Sequence, residues 1–266
     1  MKINEIKVRS ILSKSYLADY CINPFVGCQH ACIYCYASYY TKKYTSHREK
    51  WGEFVDVKIN APEILLKQVV RKKKGSVYLS SLTDPYQPLE AKYKITRKLL
   101  EILLRYNWPV CIQTKSSLIL RDLDLLKKFE DVEVGFTIIT LEEEVRKKFE
   151  PKASSVEKRI KALKILKENN ISTFTFVGPI LPYISDKENN LEELILKVKS
   201  FSDRIFIDKL NLKPGLWEIL KNFLEENYPE LLPKWKEILL KNSDYYARIK
   251  KELKAKFKDI NFIFCY

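Results

Sequence analysis

Strand-like runs alternate with amphipathic helical stretches along most of this 266-residue chain, and no other feature limits its fold as tightly. Runs rich in β-branched and aromatic residues fall near Ala18–Phe25, at Ser76–Ser81, Pro109–Thr114, Val132–Thr140, Ile171–Val177 and Arg204–Asp208. Helical spacing of apolar residues marks Pro62 to a stop at Gly75, Thr96–Tyr106, Asp122–Glu130, Leu141–Phe149, Ser155–Asn169 and Leu191–Ser200. Strands separated by helices predict right-handed βαβ units around a parallel sheet, and roughly six such units fit. The last part, Leu216–Lys258, is expected to be mostly helical, with a terminal strand within Ile260–Tyr266 added at the sheet edge. The expected organisation is an α/β partial barrel over residues 1–215. A helical extension over residues 216–266 packs on it and is not an independent domain.

In α/β barrels the chemistry sits on loops after the C-terminal ends of the strands. Polar residues fall in those places here: the cysteines, Thr83-Asp84, Thr114-Lys115-Ser116 and Thr137 to Thr140. The cysteines stand as Cys28-Gln29-His30-Ala31-Cys32-Ile33-Tyr34-Cys35, a C-x3-C-x2-C spacing. Three thiolates on one loop are one too few for a closed tetrahedral site. A metal or cluster held there keeps a position open for a ligand that is not protein. Zinc on the three cysteines plus His30 is the competing reading. Zinc sites favour paired C-x2-C spacings, and no second pair follows.

The chain carries 48 Lys+Arg against 34 Asp+Glu, a net charge of +14. A basic surface attracts nucleic acid or another polyanion. The same composition also suits a protein with many solvated, charged helix faces. No apolar segment is long enough to span a membrane, and the first residues lack a secretory apolar region, so the expected location is the cytoplasm. In that compartment a cysteine cluster more often means metal than disulfide.

The cysteine spacing, with Tyr34 directly before Cys35, resembles the signature of the radical S-adenosylmethionine (SAM) enzymes. The wider stretch from Asn23 to Ala37 is similar to the branch related to spore photoproduct lyase, often labelled "DNA repair photolyase". So are the stretches Thr83–Glu90, Thr114–Leu126 and Thr137–Pro151; the similarity runs from about Cys21 to Pro182. The resemblance implies a partial (β/α)6 TIM-like barrel. It implies that Cys28, Cys32 and Cys35 hold a [4Fe–4S] cluster whose fourth iron binds the amino and carboxylate groups of SAM. Reductive cleavage of SAM would then give a 5′-deoxyadenosyl radical that abstracts hydrogen from a substrate. The residues it puts against SAM are Tyr34, Tyr36, Thr83, Asp84, Lys115, Ser116, Thr137 and Gly178. The Ser81–Asp84 stretch departs from the Gly-Gly-Glu-like form common in the superfamily.

Cys111 is a weak candidate for a hydrogen-atom donor, because strand alternation puts it on the same face as Gln113 and Lys115. The partners expected are an electron donor such as a flavodoxin or ferredoxin and a nucleic acid, with a monomeric chain. Tyr39, Tyr40, Tyr44 and Trp51, set among lysines, suit base stacking. A small molecule or protein as substrate stays open. So does a non-catalytic iron–sulfur protein in electron transfer or sensing.

Overall fold

Runs that are apolar at nearly every position need both faces covered, and the helices between the strands supply that cover. The computed structural model describes residues 1–241 and 243–266. In chain order the strands are β1 (Lys2–Ile6), β2 (Ser13–Lys14), β3 (Tyr20–Ile22), β4 (Phe25–Val26), β5 (Phe54–Lys58), β6 (Val77–Leu79), β7 (Val110–Thr114), β8 (Val132–Thr137), β9 (Ser172–Ile180), β10 (Arg204–Lys209) and β11 (Phe262–Phe264). The helices are α1 (Ala37–Tyr44), α2 (Ala61–Val69), α3 (Glu90–Tyr93), α4 (Ile95–Arg105), α5 (Leu123–Leu126), α6 (Glu143–Phe149), α7 (Val156–Glu168), α8 (Asn190–Val198), α9 (Leu216–Asn227), α10 (Leu232–Leu240) and α11 (Tyr245–Lys256).

The main sheet has the order β11-β10-β9-β8-β7-β6-β3-β2. From β3 through β6, β7, β8 and β9 to β10, neighbouring strands of this sheet lie parallel, and these six strands match the six units expected. β11 adds in parallel to β10, and β2 adds antiparallel to β3. The two edge strands do not pair with each other, so the sheet is an open, partial barrel. On β8, Val134, Gly135, Phe136 and Thr137 are all buried, as a strand with both faces covered requires. On α4, Leu99, Leu100 and Leu103 are fully buried, and the helix packs on α2. Ser155 caps α7 by accepting a hydrogen bond from the Lys158 amide at 3.3 Å.

Gly135 on β8 makes a close contact with the neighbouring strand β9. A Cβ there would lie 2.1 Å from the Phe174 ring, which is itself buried on β9. Gly135→Ala is therefore expected to cost about 1–3 kcal/mol through overpacking, read as a lower urea midpoint with unchanged m.

Three expectations need correction. The helix begun at Pro62 ends at Val69, not Gly75. Its apolar stripe stops at Arg71–Lys74, which has no apolar face to bury. Gly75 serves a close approach instead, since a Cβ there would lie 2.7 Å from Asp19 Cβ. The stretch Asp122–Glu130 is not one helix: a 3-10 turn over Ser117–Asp122 runs into the four-residue α5. A second sheet, β1-β5-β4, was not foreseen. It pairs segments about thirty to fifty residues apart, and β4 delivers the chain into the cysteine loop.

After β10 the chain runs through α9, α10 and α11; residue 242, within the helical stretch expected over 216–258, lies outside the described residues. Buried Trp235 on α10 donates to the Pro182 carbonyl at 2.7 Å, and Tyr246 on α11 donates to the Ile180 carbonyl at 3.2 Å. The two bonds fasten this segment to the end of β9 and to the loop after it. No described helix is long and apolar enough to cross a membrane.

Candidate active site

The loops after the parallel strands enclose a cavity of about 510 Å³ at the C-terminal ends of the strands. Cys28, Cys32 and Cys35 line one part of it. The loop that carries them is built from tight turns: the Ala31 amide donates to the Cys28 carbonyl at 3.4 Å, and the Cys35 amide donates to the Cys32 carbonyl at 3.2 Å. Gly27, with φ +82, starts the loop in a conformation that few residues other than glycine adopt, and a Cβ there would strike the Phe54 carbonyl oxygen at 2.5 Å. Burial pushes all three thiols up, so a metal that binds here must displace their protons.

His30 lies between the first two cysteines and lines the same cavity. Its Nδ1 lies 3.2 Å from the Lys152 carbonyl oxygen and its Nε2 lies 3.3 Å from Asp84 Oδ2. The Nδ1 contact ties one ring nitrogen to Lys152, and Nε2 sits beside the Asp84 carboxylate without a hydrogen bond, so neither is placed as a fourth ligand of a Cys3His zinc site. Among the described residues, no three His, Cys, Asp or Glu side chains converge closely enough to hold one metal ion. A cluster, whose thiolate ligands bind different irons, does not ask for that convergence. The donor set thus fits an iron–sulfur cluster.

Asp84 lines the cavity, but both of its carboxylate oxygens accept hydrogen bonds from the protein. Its Oδ1 accepts from the Tyr86 amide at 2.9 Å and the Thr114 hydroxyl at 2.6 Å, while Oδ2 accepts from the Lys115 amide at 2.8 Å. Burial alone would raise this carboxyl. His30 and the hydrogen bond from Thr114 outweigh that and hold it at about 2. Asp84 therefore joins the cysteine loop to the loops after β6 and β7. Thr83 has a similar part: it lines the cavity, but its hydroxyl donates to the Gly27 carbonyl at 2.6 Å.

Lys115 reaches the cavity from the end of β7, its ammonium 5.9 Å from the Tyr34 ring centroid. No carboxylate among the described residues lies within salt-bridge distance of it. Burial works against its charge, yet neighbouring Cys32, Glu150 and Asp84 keep its pKa above the ordinary lysine value. Tyr34 is buried and donates to Glu150. Tyr36 stands at the rim, 41% exposed, and donates to the Ser81 carbonyl at 2.5 Å. Thr137 lines the cavity, with its hydroxyl accepting from Gln113 at 2.9 Å. Gly178 forms part of the far wall. A Cβ there would lie 2.8 Å from the Phe176 ring and 3.0 Å from Asp208 Cβ.

Two expected site residues lie outside this cavity. Ser116 turns its hydroxyl back to cap the following 3-10 turn, accepting from the Leu118 amide at 3.3 Å. Cys111 is on the same face as Gln113 but one pleat deeper, with its thiol against Glu133 at 3.7 Å. Tyr78 and Gln113, joined by a hydrogen bond, line the cavity. A donor to a substrate radical must meet it in the cavity, so Cys111 is not placed for that part.

Other residues escaped the sequence reading. Glu150 and Arg159, both fully buried, pair at 2.6 Å behind Tyr34. Asp208, at the end of β10, lines the cavity, and burial lifts its carboxyl to about 6. Its place at a strand's C-terminal end was an available signal. Cys265, just beyond β11, also reaches the cavity.

The radical SAM superfamily model matches residues 22–195. The chain belongs to the radical SAM superfamily. An uncharacterized protein of Methanocaldococcus jannaschii is 40% identical over 232 residues, covering 86% of this chain and 85% of that protein. A radical SAM Nalpha-GlyT isomerase of a Pseudomonas phage is 24% identical over 180 residues, covering 67% of this chain and 36% of that protein. Among solved structures, spore photoproduct lyase complexed with dinucleoside spore photoproduct superposes with a TM-score of 0.74 at 14% identity, over 99% of this chain and 82% of that one. The shared radical SAM fold confirms the partial barrel, and membership implies SAM and a [4Fe–4S] cluster as the working groups.

Proposed function

We propose that this radical SAM protein is an enzyme that holds its cluster on Cys28, Cys32 and Cys35, binds SAM in the adjoining cavity, and acts on a nucleic acid. When bound, these groups supply reductive cleavage of SAM to methionine and a 5′-deoxyadenosyl radical, which takes a hydrogen atom from the substrate. The observation that carries the reading is the Lys115 ammonium, which enters the thiol-lined cavity with no carboxylate to pair it.

A point charge of that kind suits the carboxylate of SAM. Thr137 accepts from Gln113 and keeps its own hydroxyl hydrogen free to donate. Gly178 lets the Phe176 ring and Asp208 close against the backbone of the far wall, where the adenine of SAM would lie. Tyr34 supports the Lys115 charge from beneath, and Tyr36 closes the rim. Asp84 and Thr83 line the same cavity and also hold the three loops in register.

The nucleic-acid part draws support from the +14 charge and from Lys209 and Lys213 in the cavity lining. The same charge suits an acidic electron donor such as a flavodoxin or ferredoxin.

Lys115→Met is expected to weaken SAM binding about 10- to 100-fold, as loss of one charge-assisted hydrogen bond does. Calorimetric titration of the reconstituted protein measures this, and iron content should match the wild type. Unchanged SAM affinity would remove Lys115 from the site.

A further inference from the structure

The cavity opens beside α1, and the exposed side of that helix is aromatic. Tyr36, Tyr40 and Tyr44 are spaced four residues apart and so share one helix face. The Tyr36 and Tyr40 rings meet edge to face at 6.1 Å, and the Tyr40 and Tyr44 rings lie 6.2 Å apart with planes only 11° from parallel. Tyr39 adds a fourth ring, 5.1 Å from Tyr40. Tyr36 and Tyr40 line the cavity, together with Trp51. Tyr44 lies one turn farther out and is 67% exposed. The row thus leads from the cavity into solvent.

Core packing does not account for it. A tyrosine kept for its apolar area is buried, whereas the outer end of this row presents its ring to water. The charges point the same way. The Lys43 ammonium lies 5.8 Å from the Tyr39 ring and 5.3 Å from the Tyr44 ring, and Lys213 lies 5.9 Å from the Tyr40 ring. α1 contains no acidic residue, and among the described residues Lys42, Lys43 and Lys213 make no salt bridge. Flat faces flanked by unpaired cations are what an exposed base and its phosphate require. A paired duplex hides its base faces and offers only edges and phosphates.

We propose that the α1 tyrosine row is a stacking track for unpaired bases, and that the substrate enters the cavity as a single-stranded segment of nucleic acid. This rests on the nucleic-acid reading above and adds the state in which the strand is held. The lysines take the phosphates, and Tyr44 is the first ring a strand meets.

The test compares binding of the reconstituted protein to a labelled, mixed-sequence oligodeoxynucleotide, single-stranded and annealed to its complement, at low and moderate salt. The wild type should prefer the single strand. Tyr44→Ala should weaken that binding roughly 5- to 150-fold, the range for one stacked base, with little change for the duplex. Tyr44→Trp, which keeps a ring, should restore it. Lys42→Gln with Lys43→Gln should flatten the salt dependence by about two phosphate contacts. Preference for the duplex, or equal losses for both forms, would overturn the track while leaving the nucleic-acid reading standing. Absence of binding to either form would overturn both, and a parallel assay of SAM cleavage without nucleic acid tests the radical chemistry separately.

Discussion

Cys32→Ala protein should emerge from anaerobic reconstitution with little iron and should leave SAM intact. Cys32 is buried in the centre of the loop, between turns that fix the direction of all three thiols. With two thiolates left, no serine or water nearby can supply a ligand of equal strength to iron. The loss is therefore of the whole cluster and of all SAM cleavage, not of a fraction. Cys28→Ala and Cys35→Ala should behave alike. His30→Gln separates the iron–sulfur reading from the zinc one: its ring nitrogens point at Lys152 and Asp84, so the variant should keep its iron. Iron retained by Cys32→Ala at the wild-type level would show that the cluster is held elsewhere.

The second large effect is on stability. Glu150 and Arg159 form a fully buried ion pair at 2.6 Å. Around it, Tyr34 donates to Glu150, and Arg159 donates to the Thr137 carbonyl at 2.9 Å and the Ser154 carbonyl at 2.8 Å. The pair thus ties the cysteine loop, β8 and the start of α7 together. Glu150→Gln leaves the guanidinium buried without its counter-charge, a loss of about 3–5 kcal/mol. At roughly 2–4 °C per kcal/mol, the melting temperature should drop by about 10 °C. The pH dependence has a definite sign. Burial alone would raise the Glu150 carboxyl, but Arg159, Lys115 and Tyr34 outweigh it and hold it below the ordinary 4.5. A carboxyl depressed in the folded state stabilises above its unfolded pKa and loses that contribution as pH falls through the folded one. The gap in melting temperature between wild type and Glu150→Gln should therefore be full at neutral pH and should narrow below about 4.5. A gap of the same size in acid would mean that the cost is one of shape and not of charge.

Parts of the molecule that depend on nearby residues were legible in the sequence. The parallel strands show as apolar runs because both faces are covered, and the cysteine loop carries its three thiols within eight residues. Lys115 could be placed because it follows a strand directly. What stayed hidden depends on distant partners. The β1-β5-β4 sheet joins segments about thirty to fifty residues apart, and β1 reads Lys-Ile-Asn-Glu-Ile, with no regular alternation and mostly exposed side chains. The bonds that Asp84 accepts from Thr114 and Lys115 come from about thirty residues away and left no mark in the sequence. Cys111 had the right face but the wrong depth, and period-two alternation says nothing of depth. Ser116 follows Lys115 in the same motif, yet the turn that begins there claims its hydroxyl. Arg159 sits in a helix that reads as a solvated lysine-rich face, and only packing against Glu150 shows it to be buried.

The central claim is that SAM is cleaved in the cavity bounded by Cys28, Cys32, Cys35 and Lys115. Chromatographic measurement of 5′-deoxyadenosine and methionine from reduced, cluster-loaded protein incubated with SAM tests it most directly. The account predicts both products from the wild type and neither from Cys32→Ala. Intact SAM in the presence of a filled and reduced cluster would contradict it.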